Sequence, residues 1–152
     1  MNLFQLDNFS YSEIKFIKAQ IDVSMFRSIL DRYFVNYKIE DVWEIKTTAI
    51  HSVNYKMMIS VKGFKKNILF RKYNTLQLEQ IKFYLEFLEK FSENFLSVGK
   101  VIRTRDGELM FSIGDSSYAL FDFISGDYFY PNEKALSSVA QAVARMHKVF
   151  DT

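Results

Sequence analysis

The sequence predicts an α+β domain: a sheet of about five mostly antiparallel strands with one helix packed on it, flanked by N-terminal helices and one C-terminal helix. Three observations predict this. Between Val42 and Tyr73, β-branched and aromatic residues recur in short runs joined by short connections. At Asn74 the apolar spacing changes from that of a strand to that of a helix. Both ends of the chain carry apolar stripes at helical spacing.

Composition sets the limits. The 152 residues suit one domain with a substantial core. Hydrophobic residues are 49% of the chain and aromatics 17%, with 16 Phe and 9 Tyr, so the chain folds rather than staying disordered. That aromatic load is high enough for part of it to meet a partner. The absence of cysteine excludes disulfides and thiolate metal sites, and His51 and His147 lie too far apart in sequence to suggest zinc. A net charge of +2 is too small to point to nucleic acid or to an anionic membrane. The opening Met1-Asn-Leu-Phe-Gln-Leu-Asp7 lacks the basic region and apolar run of a signal peptide. No apolar stretch approaches the roughly 20 residues that span a bilayer. A cytoplasmic protein is expected.

The chain divides into a helical segment over residues 1–35, a sheet with its helix over 36–126, and a loop with a final helix over 127–152. In the first segment Ser10 and Glu13 have capping-box spacing ahead of Ile14, Ile17 and Ile21. A second helix starts at Ser24, with Phe26, Ile29, Leu30 and Phe34 on one face. Strands follow at Val42–Ile50, Asn54–Lys62 and, beyond a turn opened by Gly63, Asn67–Tyr73. Asn74 or Thr75 caps the next helix. Its core stripe is Leu78, Ile81, Leu85 and Leu88, supplemented by Phe87 and Phe91, while Glu79, Lys82 and Glu86 face outward.

Lys100–Thr104 and Glu108–Ile113 read as a hairpin about Asp106-Gly107, a strong tight-turn pair. Gly114-Asp115 turns the chain into the last strand, Ser117–Phe123. After Gly126 come an aromatic loop, Asp127-Tyr-Phe-Tyr-Pro131, and a helix capped by Asn132 from about Glu133 to Phe150.

The run Ser117-Tyr-Ala-Leu-Phe-Asp-Phe-Ile-Ser-Gly126 resembles the last small-lobe strand and hinge of the aminoglycoside phosphotransferase, choline kinase and homoserine kinase type II-like group, which has a protein-kinase-like fold. Asn54-Tyr55 is similar to the point where these kinases enter their second strand. Ala144-Arg-Met-His-Lys148 is similar to the end of their first large-lobe helix, and Asp106-Gly107 falls in order between them. The resemblance spans roughly residues 25–150. It implies that 36–126 is a kinase-like small lobe, and that 127–152 is the segment after the hinge with the first helix of a large lobe.

The resemblance also implies site residues. Such a kinase holds the α/β-phosphates with a third-strand cation paired to a helix Glu. Aligned on the following aromatic, Arg71 takes that position; shifted by one, Lys72 does. Strand alternation puts Leu69, Arg71 and Tyr73 on one face, Phe70 and Lys72 on the other. Tyr84 falls where the helix Glu belongs, with Glu79 or Glu86 as substitutes. The adenine would meet the backbone near Asp122, Phe123 and Ile124, with Leu69 and Phe121 as apolar contacts. The first-strand loop 47–53 has no glycine with which to cradle phosphate. His51 reads as a loop residue and His147 as a helix-packing residue.

The catalytic loop and metal-binding Asp of these kinases lie beyond the hinge, and no residue here takes their roles. The expected function is therefore the nucleotide-binding half of a small-molecule phosphotransferase, truncated or completed by another chain. It is expected to bind ATP weakly, to hold no Mg2+ by itself and to be inactive alone. The alternative is a non-catalytic interaction module derived from such a lobe. In either case Leu136, Val139, Val143, Met146 and Phe150 would form an apolar stripe open to self-association or a second chain.

Overall fold

The computed structural model describes residues 15–19, 22–46, 52–74, 78–94, 99–125 and 133–150. Along the chain come β1 (Lys15–Lys18), α1 (Val23–Leu30), β2 (Tyr37–Lys46), β3 (Ser52–Val61) and β4 (Phe64–Tyr73). They are followed by α2 (Leu78–Asn94), β5 (Val101–Ile102), β6 (Phe111–Ile113), β7 (Ser116–Asp122) and α3 (Glu133–Phe150). The architecture is α+β, with one antiparallel sheet ordered β1-β2-β3-β4-β7-β5, and β6 also paired to β7.

The meander β2-β3-β4 forms as the strand patterning predicts. Lys62 and Gly63 both have positive φ, 50° and 84°, so a two-residue turn joins Val61 to its partner Phe64. Such a turn matches the right-handed twist of the strands, and glycine takes the more demanding dihedral. Every pair from Val61–Phe64 back to Ser52–Tyr73 follows without a break. In β2 the register shifts between Ile39 and Asp41. That bulge lets Tyr37, Ile39 and Val42 all pack on the same core despite their uneven spacing.

The sheet is covered on both faces. On one, Phe26, Ile29 and Leu30 of α1 pack against Tyr55, Met57 and Phe70. Phe26 meets Tyr55 and Phe70 edge-on, each at 5.1 Å between centroids. On the other, Ile81 and Leu85 of α2 pack against Tyr73, Ala119 and Phe121. Asp22, rather than Ser24, caps α1: its carboxylate accepts the Ser24 N–H at 2.9 Å.

Three expectations are corrected. The helix expected across Ile17 is a strand: Lys15 to Lys18 pair with Lys46 to Trp43 at the edge of β2. A short isolated helix is marginal in water, whereas that edge offers a complete set of backbone partners. Ser10, Glu13, Ile14 and Ile21 lie outside the described residues. The expected hairpin between 100 and 113 is instead one interrupted edge. β5 pairs with Phe121 and Leu120, and β6 with Tyr118 to Ser116, both on the side of β7 away from β4. Asp106-Gly107 still turns the chain, but within a loop closed by Thr104 and Glu108 and anchored by the Arg105 N–H to the Arg32 carbonyl, 2.8 Å. With β1, β5 and β6 counted, the sheet has seven strands among the described residues, rather than about five.

The helix α3 keeps its predicted span but buries little of its stripe. Leu136, Val139 and Val143 are 55%, 46% and 44% exposed. Among the described residues no helix is long and apolar enough to cross a membrane.

Phe70 is fully buried between two rings of the α1-side core and the ring of Tyr118. Phe70→Ala is expected to lower stability by about 3–5 kcal/mol in urea unfolding. Phe83→Ala, at a side chain 73% exposed, is expected to change it by less than about 0.5 kcal/mol.

Candidate functional site

Alternation along β4 sends Ile68, Phe70 and Lys72 toward α1, and Leu69, Arg71 and Tyr73 toward α2. The neighbouring strands add same-face residues: Asn54 opposite Arg71, Ile45 opposite Asn54, and Phe121 opposite Leu69. Together with Tyr84 and Leu88 of α2 and the segment Asp122–Ile124, they line a cleft of about 350 Å3. This is the size and mostly apolar character of a small-molecule site.

Among the described residues Arg71 is the cation lining this cleft. Its Nε donates to the Asn54 side-chain oxygen at 2.7 Å, and Asn54 is itself buried. The guanidinium lies over the Phe121 ring at 5.4 Å and near the Tyr73 ring at 6.0 Å. Among the described residues no carboxylate pairs with it. The Tyr73 hydroxyl is buried and has no hydrogen-bond partner among the described residues. Burial pushes its pKa up, and the nearby Arg71 charge works against that shift.

The wall formed by Asp122–Ile124 is built by close approach. A Cβ on Gly99 would come within 2.7 Å of the Asp122 carbonyl oxygen, so glycine is what lets the two segments meet. The Asp122 N–H donates to the Lys100 carbonyl at 2.9 Å, and the Phe123 N–H to the Asn67 carbonyl at 3.3 Å. The Asp122 carboxylate faces away, toward Lys66 at 3.6 Å. The Phe123 ring meets the Phe16 ring edge-on, 6.5 Å between centroids. The Lys56 ammonium lies 4.9 Å from the Phe123 ring centroid, 5.4 Å from that of Trp43 and 5.6 Å from that of Phe16. This cluster ties the edge strand β1 to the 122–124 segment, with each cation–ring contact contributing on the order of 0.5–1 kcal/mol.

The structure thus brings together Leu69, Arg71, Phe121, Asp122, Phe123 and Ile124 of the expected site. It does not bring in Lys72, which lies opposite Tyr118 on the α1 side. Nor does it bring in Glu79, which is exposed at the start of α2 and pairs with Lys82 at 3.5 Å. Tyr84, at the position where the resemblance calls for Glu, does line the cleft. The loop residues 47–51 and 126–132 lie outside the described residues. Sequence reasoning missed Asn54 as the partner of Arg71, and missed the rings around Lys56. A larger hollow of about 450 Å3 opens beside Arg27, Tyr37 and Arg105, and it holds none of the expected residues. Its Asp31 carboxylate is taken by the Tyr37 hydroxyl at 2.8 Å.

No protein-family model matches the chain, and comparison with curated proteins finds no match. The class that the fold defines is an α+β domain with an antiparallel sheet and a cation-bearing cleft.

Two outcomes are expected from this geometry. Gly99→Ala forces the Asp122 carbonyl to move and is expected to cost about 1–3 kcal/mol, read as a lowered thermal midpoint. Burial raises the pKa of Tyr33, Tyr55 and Tyr73 above the ordinary tyrosine value. Their contribution to stability is complete below the unfolded-state pKa of about 10 and is lost as pH rises toward the folded-state values. The part of the ionised-tyrosine absorbance that these three contribute, read as the difference between wild type and their Tyr→Phe variants, is therefore expected to rise together with loss of circular dichroism in strong alkali, instead of preceding it.

Proposed function

We propose that this chain supplies the nucleotide-binding half of a small-molecule phosphotransferase. The observation that supports this most is the convergence of Arg71, the apolar Leu69 and Phe121, and the 122–124 backbone on one cleft. In this reading Arg71 holds phosphate oxygens of ATP, Leu69 and Phe121 flank the base, and the hinge backbone meets its edge. The residues at hand do not fit Mg2+. The one carboxylate among the described cleft residues, Asp122, is paired with Lys66. Neither His51 nor His147 is followed two residues later by Asp, so no catalytic loop of the His-x-Asp kind is present. The reading therefore assigns metal binding and acceptor activation to residues outside these 152, in further sequence or in another cytoplasmic chain.

A second reading, a non-catalytic interaction module, is favoured by one observation. The stripe Leu136, Val139 and Val143 on α3 is largely exposed. Under both readings this stripe and Met146 are the surface that meets a second lobe, a second copy or another chain.

Calorimetry with ATP tests the first reading. Binding is expected to be weak, to fall at least about tenfold in Arg71→Ala, a loss of about 1.4 kcal/mol, and to be unchanged in Lys72→Ala. With Mg2+ and amino alcohols, homoserine or aminoglycosides as acceptors, the chain alone is expected to show no phosphate transfer. Turnover that disappears in Arg71→Ala would contradict the half-kinase reading. No ATP binding, together with concentration-dependent association that Val139→Glu abolishes, would favour the interaction module.

A further inference from the structure

We propose that Asn54 is the positioning residue that makes Arg71 a direct receptor for a ligand oxyanion, bound by the guanidinium itself and not through a metal ion. For the identity of the ligand the proposal rests on the nucleotide reading above. Its geometric basis is independent of that reading.

Asn54 and Arg71 are directly opposed across β3 and β4. The Asn54 side chain is buried, and its carbonyl oxygen takes the Arg71 Nε proton at 2.7 Å. Arginine presents its donors in a rigid planar fork, so fixing Nε fixes the plane and aims the two terminal nitrogens. The guanidinium carbon also lies over the Phe121 ring at 5.4 Å and the Tyr73 ring at 6.0 Å from their centroids. A carboxylate partner would orient the fork equally well but would also neutralise it. A carboxamide orients it and leaves the whole charge available. No described carboxylate takes up that charge, and Asp122, the one carboxylate among the described cleft residues, pairs with Lys66.

The walls around the fork are apolar, with Leu69, Leu88 and Phe121 among them. In such surroundings a charge-assisted, two-point contact with a phosphate-type oxyanion is stronger than in water. The site is therefore matched to a terminal phosphate or diphosphate group.

The test uses the full chain with ADP and inorganic pyrophosphate as probes, each titrated in EDTA and in Mg2+. Wild type is expected to bind both probes in EDTA with dissociation constants within about twofold of those in Mg2+. Asn54→Asp keeps the shape and hydrogen bond but adds a neutralising charge. It is expected to leave the thermal midpoint unchanged or higher while weakening both probes at least about tenfold. Asn54→Ala is expected to lower midpoint and affinity together. A merely structural Asn54 would not separate affinity from stability in this way.

The proposal is overturned if Asn54→Asp binds as wild type does, or if EDTA abolishes wild-type binding. Pyrophosphate binding with ADP no tighter would uphold the proposal and sink the nucleotide reading. Binding of neither probe would overturn both.

Discussion

Strand β4 runs through the middle of the sheet, paired along its length to β3 on one side and from Ile68 to Tyr73 to β7 on the other. Over Ile68–Tyr73 neither face of the strand is exposed. Its alternation must serve two different layers, and it does so with residues of opposite character. Ile68 and Phe70 complete the aromatic core under α1, while Leu69 and Arg71 form the floor of the cleft under α2. A slip of one residue would put the guanidinium into the aromatic core and empty the cleft of its cation. The two-residue turn at Lys62-Gly63 prevents that slip, because it sets every pair of the β3–β4 ladder.

Much of this was legible in the sequence. The three strands, the helix that follows and the alternation of β4 come from patterns dense enough to be read locally. Gly63 and the switch of period at Asn74 mark the boundaries. The pairing of Asn54 with Arg71 was also within reach: counting back from the turn at Gly63, pair by pair, brings them opposite each other. What could not be read locally is tertiary. The segment around Ile17 has helical spacing, yet the unpaired edge of β2 outcompetes a short helix for its backbone groups. Asp106-Gly107 marks a turn correctly, but whether the flanking runs pair with each other or with β7 depends on the position of β7. Glu79 falls one turn too early on α2 to reach a cleft that Tyr84 and Leu88 line.

The cleft combines features that would each be unremarkable alone. Exposed arginines are common, and so are apolar grooves beside a helix. Here a half-buried guanidinium is held by a neutral amide, seated against ring faces, and placed beside the 122–124 segment that Gly99 lets come close. Phe123 in turn meets the ammonium of Lys56 and the ring of Phe16, so that wall of the cleft depends on the edge strand β1. The same chain segment therefore closes the sheet and shapes the cleft. The helix α3 carries an apolar stripe in which Leu136, Val139 and Val143 are largely exposed.

The central claim is that ligand recognition occurs at Arg71 and the 122–124 backbone. The most direct measurement is a two-dimensional nitrogen–proton NMR titration of the labelled chain with ADP, following the Arg71 Nε–H and the backbone amides of Phe123 and Ile124. The account predicts saturable shifts at these groups and at the Asn54 side-chain amide, with Lys72 and the surface beside Tyr37 unmoved. Shifts clustered around Arg27, Tyr37 and Arg105, or no saturable shift at Arg71, would contradict it.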